Sequence, residues 1–236
     1  MGLVTSTTGP SLGWTTVLLL AFDTATPAVT VALHDGAAVI AAESAVDARR
    51  HGELLSAFID KVLRSVGAGE PDLTGIAVGT GPGPYTGLRT GLVTARVLGS
   101  ALGIRVDGVC SLDVIAAAAQ AGAGGSEFMV ATDARRHEVY WARYSPAGQR
   151  TDGPHVSRPA AADGGIPAGL AVAGEGAIRY PEIAARALEP RYPSAGQLAA
   201  LVAARVAAGQ PPGPAEPLYL RRPDAREPGT PKRVTP

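Results

Sequence analysis

The chain has 236 residues, enough to bury roughly 70% of its unfolded surface in one large domain or two small ones. Lys and Arg together number 21, as do Asp and Glu, so a net charge of zero gives no long-range field to gather nucleic acid or an anionic lipid surface. Only Lys61 and Lys232 are lysines and neither stands in a Gly-Lys-Ser/Thr context, which excludes a P-loop; the absence of Asn excludes a glycosylation sequon and a Cys-His-Asn triad.

The single cysteine, Cys110, excludes an internal disulfide and a cysteine zinc cluster. It ends the apolar run IRVDGVC, where a small buried strand residue is the plainer reading and a catalytic thiol the alternative. The apolar run VLLLAF at 17–22 is too short to span a membrane and has no basic flank. A cytoplasmic protein without membrane association is expected.

Residues 1–16 are unpatterned and read as a flexible leader. VLLLAFDTAT, AVTVALHDG and AVIAAESAV follow as a three-stranded meander with turns at Thr26-Pro27 and Asp35-Gly36. A helix is predicted from His51 to Val66, then a strand (LTGIAVGT), a second helix from Tyr85 to Leu102 and another strand (IRVDGVC). A third helix is opened by Ser111 as N-cap. The pattern then restarts. EFMVATDARRHEVYWARYSPAG repeats a strand ending in Asp, a turn and a return strand, so that Asp23 and Asp133 occupy equivalent places in two similar halves. After the Gly-rich LAVAGEGA come a short helix near Ile178 to Leu188 and a helix SAGQLAALVAARVAAG capped by Ser194 and ended by Gly209. From Gln210 onward eight of 27 residues are Pro; this reads as a tail in which PLYLRR alone could dock. The expected division is an N-terminal lobe at 17–122, a C-terminal lobe at 123–220 and a Pro-rich tail at 221–236.

Asp23 and Asp133, with Thr24 beside the first, are the candidates for a carboxylate cleft holding Mg²⁺ and a nucleotide phosphate, turn-capping Asp residues being the alternative. The loop GTGPGPYTGLRTG at 79–91 matches neither G-x-G-x-x-G nor a P-loop, and forces an irregular strand-to-helix turn. Of the four histidines no two lie within one helical turn of each other, so no paired-histidine metal motif is predicted. The Arg pairs 49-50, 135-136 and 221-222 could touch phosphates or form solvated faces.

Two helices carry a different signal. On the first, Leu54, Leu55, Phe58, Ile59, Val62, Leu63 and Val66 spread over an arc of about 180°, wider than the roughly 100° a single sheet covers. Leu54 and Phe58, near one edge of that arc, are left needing cover. On the second, Gly87, Gly91, Ala95, Gly99 and Gly103 recur every four residues as a ridge along which another helix could approach.

Together LAFDTATPAVTVAL, the RHGELL helix start, DLTGIAVGTGPGPYTGLRTGLVTARVLGSALGI followed by VCSLDVIA, the later TDARRHEVYWARY and PLYLR resemble the TsaB (YeaZ) family. The resemblance covers 17–145 well and the rest loosely. It implies an α/β fold of the actin, sugar-kinase and Hsp70 type (ASKHA, ribonuclease H-like) with two similar lobes of mixed sheet plus helices. It further implies a non-catalytic subunit needed for N6-threonylcarbamoyladenosine (t6A) formation at position 37 of tRNAs reading codons that begin with A. Such a subunit pairs with a TsaD-like catalytic subunit and a TsaE-like ATPase, homodimerises when TsaD is absent, and meets tRNA only through the complex. The implied partner surface lies on the first two helices: His51, Leu54, Leu55, Phe58 and Val62, and Tyr85, Thr86, Gly87, Arg89, Thr90, Gly91, Ala95 and Gly99. No catalytic residue and no metal are implied. No cofactor is expected to bind tightly, and ATP or ADP would sit at the interface with partner subunits. The rival reading is a stand-alone nucleotide-dependent phosphotransferase or a glycoprotease-like metallopeptidase of the M22 type.

Overall fold

A computed structural model of the chain describes residues 17–159, 166–167 and 169–221. The leader at 1–16 and the tail beyond Arg221 lie outside the described residues. Two five-stranded sheets carry the fold. In the first, β1 (Leu19–Asp23), β2 (Ala28–His34) and β3 (Val39–Val46) form an antiparallel meander, and β4 (Gly75–Gly79) and β5 (Arg105–Val109) add in parallel beyond β1. In the second, β6 (Phe128–Asp133), β7 (Val139–Tyr144) and β8 (Arg150–Ser157) repeat the meander, while β9 (Ala171–Ala173) and β10 (Arg186–Leu188) repeat the parallel pair. The orders β3-β2-β1-β4-β5 and β8-β7-β6-β9-β10 are the same topology twice, and Asp23 and Asp133 end the equivalent strands β1 and β6. The duplication legible in the sequence is thus a duplication of fold.

Strand alternation decides which helix each face meets. Leu20, Phe22, Val29, Val31, Leu33, Ile76 and Val78 face the helices α1 (His51–Ser65) and α2 (Tyr85–Leu102) on the outside of the first sheet. Leu19, Ala21, Ala32 and Ala77 face inward against α5 (Ala195–Ala207). The small side chains on this inner face let that helix lie close. Phe128, Val130, Ala142 and Tyr144 of the second sheet pack on α3 (Ser111–Ala119), whereas Met129, Ala131 and Trp141 meet α4 (Glu175–Arg179) and the turn after it. Each lobe therefore lends its last helix to the space between the sheets: α3 follows the first sheet in sequence and packs on the second, while α5 does the reverse.

Four local expectations change. Ser111 is the first residue of α3 and Cys110 holds the cap position, because the Ser111 hydroxyl is engaged elsewhere. Residues 178–188 hold the end of α4, a single 3₁₀ turn and β10, since Pro181 prevents a continuous helix. Strand β8 escaped the pattern because Gly153-Pro154 interrupts its alternation and its register against β7 shifts at a bulge. Finally, residues 210–221 pack on the first sheet without regular structure. Gly108 N donates to Gly213 O (3.0 Å), Arg96 Nη2 to Ala215 O (2.7 Å) and Leu218 N to Thr80 O (2.9 Å). Docking begins well before PLYLRR.

Candidate functional site

Asp23 and Thr24 are enclosed. Asp23 is 0% exposed; its Oδ2 accepts a 2.5 Å hydrogen bond from Ser111 Oγ and its Oδ1 accepts from Ala25 N at 2.8 Å. Burial pushes the Asp23 carboxyl above the usual carboxylate range, against the opposing pull of the Ser111 hydroxyl. Thr24 Oγ1 donates to Gly87 O (2.7 Å) and accepts from Gly91 N (3.1 Å), which seats the first turns of α2 on the end of β1. The 79–84 loop closes the place from above: Gly81 N donates to Ser111 Oγ, Ser111 N to Gly81 O, and a Cβ at Gly83 would stand 2.0 Å from Ala25 O. Asp133, 7% exposed, lies in the other lobe between Arg135 and Arg179, 3.6 and 3.5 Å away. The structure leaves no part of Asp23 facing solvent with which Asp133 could share a bound ion. Among the described residues, no group of three or more His, Cys, Asp or Glu is arranged to hold a metal.

Cys110 is buried, and burial, reinforced by Asp113, pushes its thiol up to about 12. A thiol so held is protonated at neutral pH and is not an activated nucleophile. Tyr144 Oη donates to Asp113 Oδ1 at 2.8 Å, and Arg150 Nη1 lies 3.6 Å from the same oxygen. That cluster ties α3 to the second sheet.

The residues expected to meet a partner divide into three groups. His51, 8% exposed, presents Nε2 to Thr26 O at 2.9 Å and so carries its proton there, fixing the start of α1 on the β1–β2 turn. Leu55 and Val62 are core. Gly87, Gly91, Ala95 and Gly99 are buried too: an added Cβ would stand 2.4 Å from Thr24 O at Gly87, 2.6 Å from Thr24 Oγ1 at Gly91 and 2.3 Å from Val106 Cγ2 at Gly99. The ridge is filled by this chain's own strands. Leu54 and Phe58 form a second group, half-buried against the first core on the β3 side of α1, where Lys61 pairs with Glu43 at 2.7 Å.

The third group faces outward. Tyr85 and Thr90 are half-buried and Thr86 and Arg89 exposed, and the same side of α2 carries Val93 and Val97 at 58% and 60% exposure. Between α2 and α1 runs a groove of about 420 Å³ bordered by Gly52, Ser56, Ile59, Val93 and Val97. Apolar periodicity alone does not single out Val93 and Val97, yet two residues are about 200° of helix, so an inward Gly91-Ala95-Gly99 ridge requires an outward Val93-Val97 pair. The signal was present once the ridge was given a direction.

Residues 38–218 match the family model described as TsaD, tRNA N6-adenosine threonylcarbamoyltransferase. An uncharacterized protein of Mycobacterium tuberculosis is 46% identical over 211 residues, 88% of this chain and 93% of that one. The tRNA threonylcarbamoyladenosine biosynthesis protein TsaB of Escherichia coli is 35% identical over 127 residues, 53% of this chain and 54% of that protein. The solved structure of YeaZ from Pseudomonas aeruginosa superposes with a TM-score of 0.72 at 28% identity, covering 86% of this chain and 100% of that one. The chain belongs to the TsaD tRNA N6-adenosine threonylcarbamoyltransferase family and is a TsaB (YeaZ)-type member of it.

Proposed function

We propose that this chain is a non-catalytic subunit of a cytoplasmic complex that forms N6-threonylcarbamoyladenosine at position 37 of tRNAs reading codons that begin with A. It acts by pairing with a TsaD-like catalytic subunit through the outer face of α1 and α2. A TsaE-like ATPase joins that pair, ATP or ADP sits at the shared interface, and a second copy of this chain occupies the face when the catalytic subunit is absent. The observation that carries the reading is the pair Val93 and Val97, 58% and 60% exposed beside an open groove. Burying two such side chains stabilises a complex by roughly 1.5–3 kcal/mol each when they are fully covered. The occupied state of Asp23 and the raised Cys110 thiol fit a subunit that supports chemistry done elsewhere. Affinity purification of the tagged full-length chain from its native cell, followed by assay of the eluate for threonylcarbamoyl transfer, tests the reading. A stable TsaD-like partner in stoichiometric amount is expected; its absence, with the chain recovered alone and folded, would overturn it.

A further inference from the structure

We propose that two copies of this chain pair through the free edge of β3, antiparallel about a two-fold axis at Ser44, which joins their first sheets into one.

Sheet edges supply the first observation. Four strands end the two sheets, and three of them are closed to a newcomer. Residues 210–221 run beside β5, where Gly108 N donates to Gly213 O at 3.0 Å. β10 is three residues long. β8 holds Gly153-Pro154 within it, shifts register against β7, and exposes Arg150, Asp152 and His155. Proline, bulges, charges and shortness are the devices that keep an edge from recruiting a neighbour. β3 lacks most of them. It runs for eight residues without Pro or Gly, and its one charge, Glu43, is paired with Lys61 at 2.7 Å. A bulge at Ile40 disturbs only its start, since Ala41 to Val46 pair with β2 in unbroken register. Their outward backbone groups meet no further strand among the described residues.

The face beside that edge is also open. Ala42, Ser44 and Val46 sit opposite Ala32, Thr30 and Ala28 of β2, on the side of the first sheet that faces α5. The β2 residues are buried and the β3 residues exposed, Val46 at 63%. Cover by α5 thus thins out over the second half of β3. There a groove of about 520 Å³ lies between Ala42, Ser44 and Val46 on one side and Tyr192, Pro193 and Ser194 on the other. Thr30 Oγ1 donates to Pro193 O at 3.2 Å and holds that wall in place. A strand added to β3 sets alternate side chains along this groove.

Register selects a second copy as the occupant. Antiparallel copies about an axis normal to the sheet pair residues whose numbers add to an even sum, because partners across the ladder share a face. Centring on Ala42 sets the bulged Ile40 against Ser44, and centring on Glu43 sets two carboxylates face to face. Centring on Ser44 avoids both. Ala42 then lies opposite Val46 of the second copy, Glu43 opposite its Ala45, and the two Ser44 hydroxyls meet at the axis. Each exposed Val46 covers the small Ala42 of the other chain at its groove, so one patch makes the match twice. A net charge of zero brings no long-range repulsion between copies. A second β3 is already extended, whereas a peptide without structure must be ordered first. This surface faces α5, on the opposite side of the sheet from α1 and α2, and leaves the outer face of those helices free.

The test uses the full-length chain with Val97→Arg in the background, so that association through α2 does not intrude. Light scattering on a sizing column should show a dimer. Val46→Lys, at a position already exposed, should raise its dissociation constant at least about tenfold. Ser44→Cys under diamide should give a covalent dimer, since residues facing across an antiparallel pair have Cα atoms about 4.5–5.5 Å apart, within disulfide reach. Val39→Cys, exposed at the far end of the strand, is the control expected to stay largely uncrosslinked, and the buried Cys110 remains in every variant. Thermal melts establish that each variant folds, and the crosslink decides alone if Val46→Lys does not. A monomeric Val97→Arg chain, a dimer untouched by Val46→Lys, or equal crosslinking by the two cysteine variants would overturn the proposal. Val46→Lys without Val97→Arg should still capture a TsaD-like chain; loss of that capture would overturn it in favour of that chain as the occupant of β3.

Discussion

Ser111 Oγ donates a 2.5 Å hydrogen bond to Asp23 across 88 residues of sequence, at a point where a Cβ on the neighbouring Gly79 would stand 1.8 Å from the same carboxylate oxygen. The end of β1 is thereby fixed to the start of α3, and with it the first sheet to the helix that packs on the second. Ser111→Ala leaves a buried carboxylate short of one donor, which should cost about 2 kcal/mol and lower Tm by about 4–8 °C. The sign with pH follows from the raised carboxyl. Asp23 holds its proton more tightly folded than unfolded, where its pKa is near 3.8, so its contribution to stability is full below that value and declines as pH rises towards the folded one. Because the Ser111 hydroxyl favours the charged form, the loss in Ser111→Ala should be larger at pH 8 than at pH 4. Asp23→Asn should flatten the pH profile. Melts across this range decide it, and equal losses at both ends would mean that Asp23 does not titrate there.

The glycine ridge predicts a fold defect. Gly91→Ala places a methyl carbon 2.6 Å from Thr24 Oγ1, the atom that holds Gly87 O and Gly91 N. Either α2 moves off the sheet or Thr24 gives up its bonds, and a loss of roughly 2 kcal/mol or more follows. Gly103→Ala is the contrast: its φ is +66° with nothing within 4 Å, so it should cost about 1 kcal/mol through backbone strain alone. Chemical denaturation of both variants would show whether steric closure or mere left-handed strain dominates; equal losses would refute the steric account.

What the sequence disclosed and what it hid can be traced to individual residues. Strand alternation and helix period disclose β1, β2, β4, α1 and α3 because each buries apolar Leu, Val, Ile or Phe, whereas β3, with no fully buried residue, and β5, with Asp107 inside it, are legible from their apolar composition and bounding turns. The repeated Asp-ended strand disclosed the second sheet. The role of Gly87, Gly91 and Gly99 was hidden, since a ridge without side chains looks the same whether the chain itself or a partner fills it. Leu54 and Phe58 belong to a wide apolar arc whose far edge is half-buried against the first core, and a projection around one helix carries no information about what packs beside it. Asp23 was recognisable as a strand-end carboxylate, yet its enclosure depends on Ser111, which no local pattern joins to it.

The partner face makes a sharp distinction between two arginine substitutions. Val97→Arg puts a charge where 60% of the side chain's surface is already open, so Tm should stay within about 1 °C while capture of a TsaD-like chain falls at least tenfold. Phe58→Arg instead displaces a ring half-buried against the first core and should lower stability by about 1–3 kcal/mol. Its capture, measured below its melting range, should be largely kept. A pull-down beside a melt for each variant is sufficient. The opposite pattern, with Phe58→Arg folded but unable to bind and Val97→Arg binding normally, would move the interface to the β3 side of α1.

Residues 210–221 also belong to the fold, and removing them should show it. Asp107, 0% exposed, is held by Arg105 through bonds of 2.7 and 2.8 Å and accepts from Gly213 N at 3.2 Å. Next to it Gly108 lies so close to the strap that a Cβ there would stand 2.1 Å from Pro214 O. The strap therefore covers the outer edge of β5, the end strand of its sheet, beside which no further strand lies among the described residues. Truncation after Gly209 strips the bonds from Gly213, Ala215 and Leu218 and opens that edge to solvent. With each lost hydrogen bond contributing roughly 1 kcal/mol, Tm should fall on the order of 5–10 °C. The bared edge also presents unpaired backbone groups, so the truncated chain should self-associate at concentrations where the full chain does not. Light scattering beside a thermal melt measures both effects. An unchanged melt would show that the strap rests on the sheet without stabilising it, and a lowered melt without self-association would place its contribution in the Asp107 and Gly108 contacts and not in covering the edge.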